Sequence, residues 1–308
     1  WFILRLGAFT TVIEQGGEQA RGEWMGRFRS LSRLGSLTGM VAGGFMADAF
    51  GFAVAFRTFG LVILTAALWN LAFKPLGPAS PKRVQETIQP RARLGGVYPT
   101  AGLWQRSWRW QVLVLGFMVY LVVGGGVGSL AARLVKLRFA AGLELGQLFL
   151  GVGALSGLVV ASRYLGEVLI SPAGGRLSDR VGRGRFLQVI LLSTAAAMAA
   201  AVAPVPAVLF LLVMVTLLSG SAVVFAVTDA VAADTAGELQ RSRGNGAVYL
   251  GFYTTATDLG AAAGPLLGYA VGAGVGIEPV FLVGAALLAV TLPFTLPALR
   301  GRSGQRAR

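Results

Sequence analysis

Apolar stretches close to 20 residues long recur along this 308-residue chain, and that recurrence leaves few folds open. Eight are complete, at about Trp24–Ala47, Ala53–Phe73, Trp110–Ala132, Gln147–Ile170, Phe186–Ala203, Ala207–Ala230, Gly246–Gly272 and Pro279–Ala298, and a partial one covers about Trp1–Ile13. A helix of this length crosses the hydrocarbon of a bilayer with every backbone N–H and C=O satisfied internally. Only 13% of the residues are charged and the mean hydropathy is +0.69. A soluble domain carries about 25% charged residues, so this chain has too few to cover a water-facing surface. Its 44 glycines suit close helix approach in lipid. The expected fold is an all-α polytopic membrane protein, with the lipid bilayer as its surroundings.

A net charge of +14 in a soluble protein would suggest nucleic acid. Here the basic residues sit in clusters between spans without aromatic interleaving, so no nucleic-acid partner is expected. Twenty of the 27 Lys and Arg lie in Glu14–Arg29, Lys74–Arg109, Ser171–Arg185, Ala233–Asn245 and Leu299–Arg308. The alternate connections and their flanks hold only Arg57, Arg133, Lys136 and Arg138. Positive-inside reasoning places the first set in the cytoplasm. Lys74–Arg109, with Pro75, Pro78, Pro81, Pro90 and Pro99, reads as an irregular cytoplasmic linker between residues 1–73 and a second unit, 110–298; residues 299–308 form a basic cytoplasmic tail. Cysteine and histidine are both absent, which removes disulfides, thiol catalysis, histidine bases and the usual zinc sites. No enzyme activity, metal or cofactor is expected, and no G-x-x-x-x-G-K-[ST] loop marks an ATP-driven pump. Any proton carrier must be Asp or Glu.

Ionisable residues inside spans cost about 2.5–3.5 kcal/mol on insertion scales and call for a reason. Asp258 lies 14 residues past Gly244, roughly 20 Å along a helix, and is the expected proton carrier; a structural hydrogen bond to a neighbouring helix is the competing reading. Arg163 and Glu167 are four apart and can pair on one helix face. Arg33 aligns with Asp258 at an offset of 225 residues, and Gly35, Gly39 and Gly43 align with Gly260, Gly264 and Gly268 at the same offset. These two glycine-rich spans stand second from the end of each unit, which points to an internal repeat. Equivalent halves would leave about three and a half spans missing before Trp1, so the chain is expected to be an N-terminally truncated fragment.

Gly174-Gly175-Arg176-Leu177-Ser178-Asp179-Arg180-Val181-Gly182-Arg183-Gly184-Arg185 resembles the major facilitator signature G-x-L-[AS]-D-R-x-G-[RK]-x-[RK]. The resemblance implies a two-bundle fold of that superfamily. Residues 1–73 would then be the last part of the first six-helix bundle (partial helix 4, helices 5 and 6), and 110–298 would be helices 7–12 of the second. It implies a conformational-switch loop at Gly175, Asp179, Arg180, Gly182, Arg183 and Arg185, latching the cytoplasmic face. Gly175 and Gly182 would permit a tight reversal, and Asp179 would face a helix N-terminus and pair with nearby arginines. Gly26-x8-Gly35-x3-Gly39-Met40-x2-Gly43-Gly44 is similar to the glycine signature of the family's antiporters, with Met40 where proline is usual; ordinary close packing explains it equally well. The helices bearing Arg33 and Glu167 would lie at the interface between halves, where the two side chains can bridge. The implied function is secondary active transport of a small solute by alternating access, proton-coupled and leaning towards efflux. Proton symport for uptake and a non-transporting membrane sensor are the alternatives. A monomer in a bacterial-type inner (plasma) membrane is expected.

Overall fold

The computed structural model describes residues 31, 33–73, 108–145, 148–243 and 245–295. The run Trp1–Ile13, Gly26, most of the linker and the basic tail lie outside the described residues. Residues 33–50 form helix α1 and Phe52–Phe73 form α2. A continuous helix α3 runs over Trp108–Arg138 and leads into an antiparallel hairpin of β1, Leu143–Leu145, with β2, Leu148–Leu150. There follow α4 Val152–Leu169, α5 Ser171–Val181, α6 Arg183–Val202, α7 Ala207–Arg243, α8 Gly246–Val275 and α9 Ile277–Val290. A 3-10 turn, Leu292–Thr295, comes last.

Among the described residues, α2, α3, α4, α6, α7 and α9 are long and apolar enough to cross a membrane. Helices α1 and α8 stand where two further spans were expected; both are richer in glycine and polar side chains. Large apolar residues cover much of the outside, as on α2, where Ile63 is 69% exposed and Trp69 66%. That inversion of the soluble pattern is what lipid demands of an outer surface. The chain is an all-α polytopic membrane protein whose only described sheet is the small hairpin.

Four expectations need correction. The connection Ser171–Arg185 is mostly helix: α5 starts with a proline in its first turn and buries Gly174 and Ser178, four apart, on one face. The span expected to stop at Ala230 continues to Arg243, absorbing most of Ala233–Asn245. No proline intervenes, and Thr235, Ala236 and Leu239 continue a buried stripe at helical spacing. The span expected from Gln147 begins at Val152, because residues 148–150 pair with β1. Helix α3 outruns Trp110–Ala132 at both ends, and its last turn is anchored: Arg138 Nη2 donates to the carbonyls of Val202 (3.0 Å) and Ala203 (2.8 Å), where α6 stops.

The second unit is cored by fully buried Leu115, Leu130, Leu134, Leu191, Phe210 and Tyr249 on α3, α6, α7 and α8. Its tightest seam joins α3 to α8. Residues Tyr120–Val127 of α3 are π-helical, and the run Gly124–Gly126 within them presents no side chains. A methyl group on Gly125 would lie 2.7 Å from the Ala261 carbonyl oxygen and 2.8 Å from the ring of Pro265. One on Gly264 would lie 2.6 Å from Gly125 Cα, and one on Gly268 2.9 Å from Leu130. Gly260 approaches the backbone of Phe117 and Leu121. In α1, Gly35 and Gly39 meet nothing within 4 Å among the described residues, while Gly43 faces Phe59 at 3.4 Å. The two glycine series thus have different described neighbours.

The α3–α8 seam predicts that Gly264→Val lowers the melting temperature of the purified protein. Forcing a side chain into a filled seam costs about 1–3 kcal/mol. Gly251→Val, where nothing lies within 4 Å, should leave melting unchanged in the same detergent.

Candidate functional site

Helices α1 and α4 run antiparallel and in close register, which aligns three kinds of contact along one seam. At the end near the hairpin, the Asp48 carboxylate accepts hydrogen bonds from the backbone N–H groups of Gly153 (2.8 Å) and Ala154 (2.7 Å). In the middle the backbones touch: Gly44 abuts Gly153, and a methyl group on Gly157 would lie 2.5 Å from the Met40 carbonyl oxygen. At the end near α5, Arg33 Nε forms an ion pair with Glu167 Oε2. The family resemblance left that bridge as a possibility, and the structure brings the two side chains together.

Glu167 also faces Arg163 on its own helix, one turn back, with Nε 3.6 Å from Oε1. That distance marks an ion pair and not a hydrogen bond, and Arg163 Nε has no hydrogen-bond partner. Glu167 therefore stands between two guanidinium groups, one from each helix. The Arg163 guanidinium lies 4.9 Å from the ring centroid of Phe225 on α7, a favourable cation–π placement. Phe225 in turn sits 4.7 Å, centroid to centroid, from Tyr120 at the start of the π-helical stretch.

Tyr120 leads to a carboxylate that sequence reasoning missed. Its hydroxyl donates to Asp229 at 3.1 Å (Oδ2) and 3.2 Å (Oδ1), and the Tyr253 hydroxyl donates to Oδ1 at 2.7 Å. Tyr253 is buried, whereas Asp229 is open to solvent on α7. Two hydroxyl donors to one carboxylate hold it in a fixed orientation. The chain Arg33–Glu167–Arg163–Phe225–Tyr120–Asp229–Tyr253 thus crosses α1, α4, α7, α3 and α8. Two arginines and two acids balance its formal charge. Asp229 escaped notice because the span was ended at Ala230, making it a boundary residue. The readable signal was the absence of proline through Arg243 together with apolar residues at helical spacing beyond it.

Asp258 lies apart from this chain. It is exposed on α8 and makes no hydrogen bond or ion pair among the described residues. Five residues beyond Tyr253, it points roughly 140° away around the helix.

The α5 signature forms a separate cluster. Gly182, at φ 103°, makes the reversal between α5 and α6 in a conformation other residues resist. Gly175 has no such role, since it lies inside α5 with open space around it. Arg183 Nε donates to Asp179 Oδ1 at 2.9 Å, Arg183 Nη1 pairs with Asp234 Oδ2, and the same Nη1 donates to the Ala230 carbonyl at 3.0 Å. One guanidinium so joins the end of α5, the start of α6 and α7. Arg180 and Arg185 are exposed and form no ion pair among the described residues. No group of His, Cys, Asp and Glu among the described residues could hold a metal ion.

Two proteins of Streptococcus pneumoniae, from serotype 4 strain TIGR4 and from strain R6, are each named "Multi-drug resistance efflux pump PmrA". Each is 27% identical to this chain over 190 residues, covering 59% of the chain and 42% of the relative. The match therefore spans less than half of those relatives' length. Residues 153–307, half of the chain, match the model of the Major Facilitator Superfamily. Its α5 signature, its spans and this match agree: the chain belongs to the Major Facilitator Superfamily.

Proposed function

We propose that this chain belongs to a proton-coupled secondary transporter that moves a small solute by alternating access and exports it. The carrying observation is Glu167, held between Arg33 of α1 and Arg163 of α4. A carboxylate between two guanidiniums ties the helices together while it is ionised. Taking up a proton removes the charge that holds Arg33, and the seam is free to part at that end. The proton and the conformation are coupled through one side chain.

Asp229 lies beyond Arg163 and Phe225, with an open face and two tyrosine donors behind it. It supplies a charged surface on which a solute or proton exchanges. The name carried by the pneumococcal relatives favours the outward direction. The end near α5 is the cytoplasmic one by the distribution of basic residues. There, the Asp179–Arg183–Asp234 cluster ties α5 and α6 to α7 and acts as a conformational switch, not as a substrate site.

The test uses the intact transporter in proteoliposomes, with uptake of a fluorescent drug-like dye driven by an imposed pH gradient. Glu167→Gln is expected to lower the gradient-driven rate more than about tenfold, a loss of ~1.4 kcal/mol or more in coupling. Asp229→Asn should chiefly raise the dye concentration at half-maximal rate. If Asp258→Asn abolishes the driven component while Glu167→Gln spares it, the proton belongs to Asp258 and the present assignment fails.

Removing the charge at Asp179 predicts a different signature. Asp179→Asn should slow turnover while leaving apparent affinity nearly unchanged, because the cluster holds helices and not solute. Lost affinity with normal turnover would contradict the switch role.

A further inference from the structure

We infer that Asp48 is a latch at the hairpin end of the α1–α4 seam, working in opposition to the Arg33–Glu167 pair at the other end. The inference rests on the transporter reading and adds a gate to it.

Helix α4 begins at Val152 after Gly151, has no acidic residue in its first turn, and receives no capping hydrogen bond from the Gly151 position. The first N–H groups of a helix have no partners within it. Those of Gly153 and Ala154 are met by Asp48, which precedes them by more than a hundred residues and stands on a different helix. One oxygen takes each N–H, and the negative charge faces the positive end of the α4 dipole. Space for this grip exists because α4 starts with glycines. A methyl group on Gly153 would lie 2.7 Å from Asp48 Oδ1, and one on Gly151 2.9 Å from the same atom. Any side chain at either position would push the carboxylate away.

Two features make this a latch and not a fixed rivet. Asp48 is exposed, so water can replace the two N–H donors as the contact opens. Between Asp48 and Arg33, roughly 22 Å apart along α1, the seam is made by Gly44, Gly153, Gly157 and the Met40 backbone. Close backbone contact at these glycines lets this part of the seam serve as a fulcrum. The helices rock about it: parting one end breaks one charged contact and leaves the other in place.

The chain contains no cysteine, so within it spin labels attach only at introduced sites. Labels at Phe50→Cys and Phe149→Cys, both exposed near the hairpin, read one end. Leu34→Cys and Leu165→Cys, also exposed, read the other. In the intact protein in lipid nanodiscs, Asp48→Asn should shift the hairpin-end distance distribution to longer values without lengthening the other pair. Gly151→Ala, whose added methyl group meets the Asp48 carboxylate first and leaves its charge, should shift it in the same direction. In proteoliposomes Asp48→Asn should change turnover several-fold while sparing affinity. Unchanged distances at the hairpin end in a folded Asp48→Asn protein overturn the latch. So does failure of that variant to yield folded protein, which would make the contact purely structural. The distance measurement needs no solute. A native protein that carries no dye therefore sinks the transporter reading separately.

Discussion

Close backbone approach at glycine is the constraint on which the rest of this structure depends. In lipid, apolar side chains gain nothing by leaving solvent for a neighbouring helix, so association rests on van der Waals fit and on polar contacts. Glycine supplies the fit at both important seams, Gly44 with Gly153 and Gly157 between α1 and α4, and Gly125 with Gly264, and Gly260 with the Phe117 backbone, between α3 and α8. The polar groups follow from that geometry. Only because α1 and α4 lie so near each other can Arg33 reach Glu167, and Asp48 reach the start of α4. Likewise the α3–α8 seam sets Tyr120 and Tyr253 side by side against one carboxylate.

The charged groups divide into three clusters with different neighbours. Arg33, Glu167 and Arg163 join α1 to α4. Asp229 and its tyrosines lie within the second unit, connected to the first cluster through the Phe225 ring. Asp179, Arg183 and Asp234 bind the short α5 to its successors. Taken together, the first two clusters set two arginines against two acids and balance in formal charge. That is how ionisable groups persist in or beside a bilayer, where an isolated charge is expensive.

Much of this was legible in the sequence, because the bilayer simplifies the reading. Span positions followed from apolar length, and Arg163 with Glu167 followed from helical spacing. The glycine stretch after Arg33 marked a close-packed helix before any partner was known. The illegible parts have physical causes. Helix α5 carries glycines, a proline and arginines, so its low hydropathy read as a loop, although burial of Gly174 against Val223 makes it helical. The far end of α7 is amphipathic, and a hydropathy limit cut it short at Asp229. Asp48 looked like a span-end residue with nothing to do, since its partners are backbone atoms that no side-chain pattern announces. The strand residues 148–150 are apolar enough to pass for the start of a span.

The π-helical stretch of α3 carries one more implication. Its wider turn makes every later residue lag in angle behind the position an ordinary helix would give it. The helix is pinned on either side of the stretch's far end: Tyr120 by the Asp229 carboxylate, and Arg138, at the end of α3, by the carbonyls that finish α6. The run Gly124–Gly126 between these anchors therefore works as a phase adjuster. Deleting one of its residues would leave both sequences intact yet twist Leu130 and Leu134 out of the packed interior, so this short run is constrained in length as firmly as in composition.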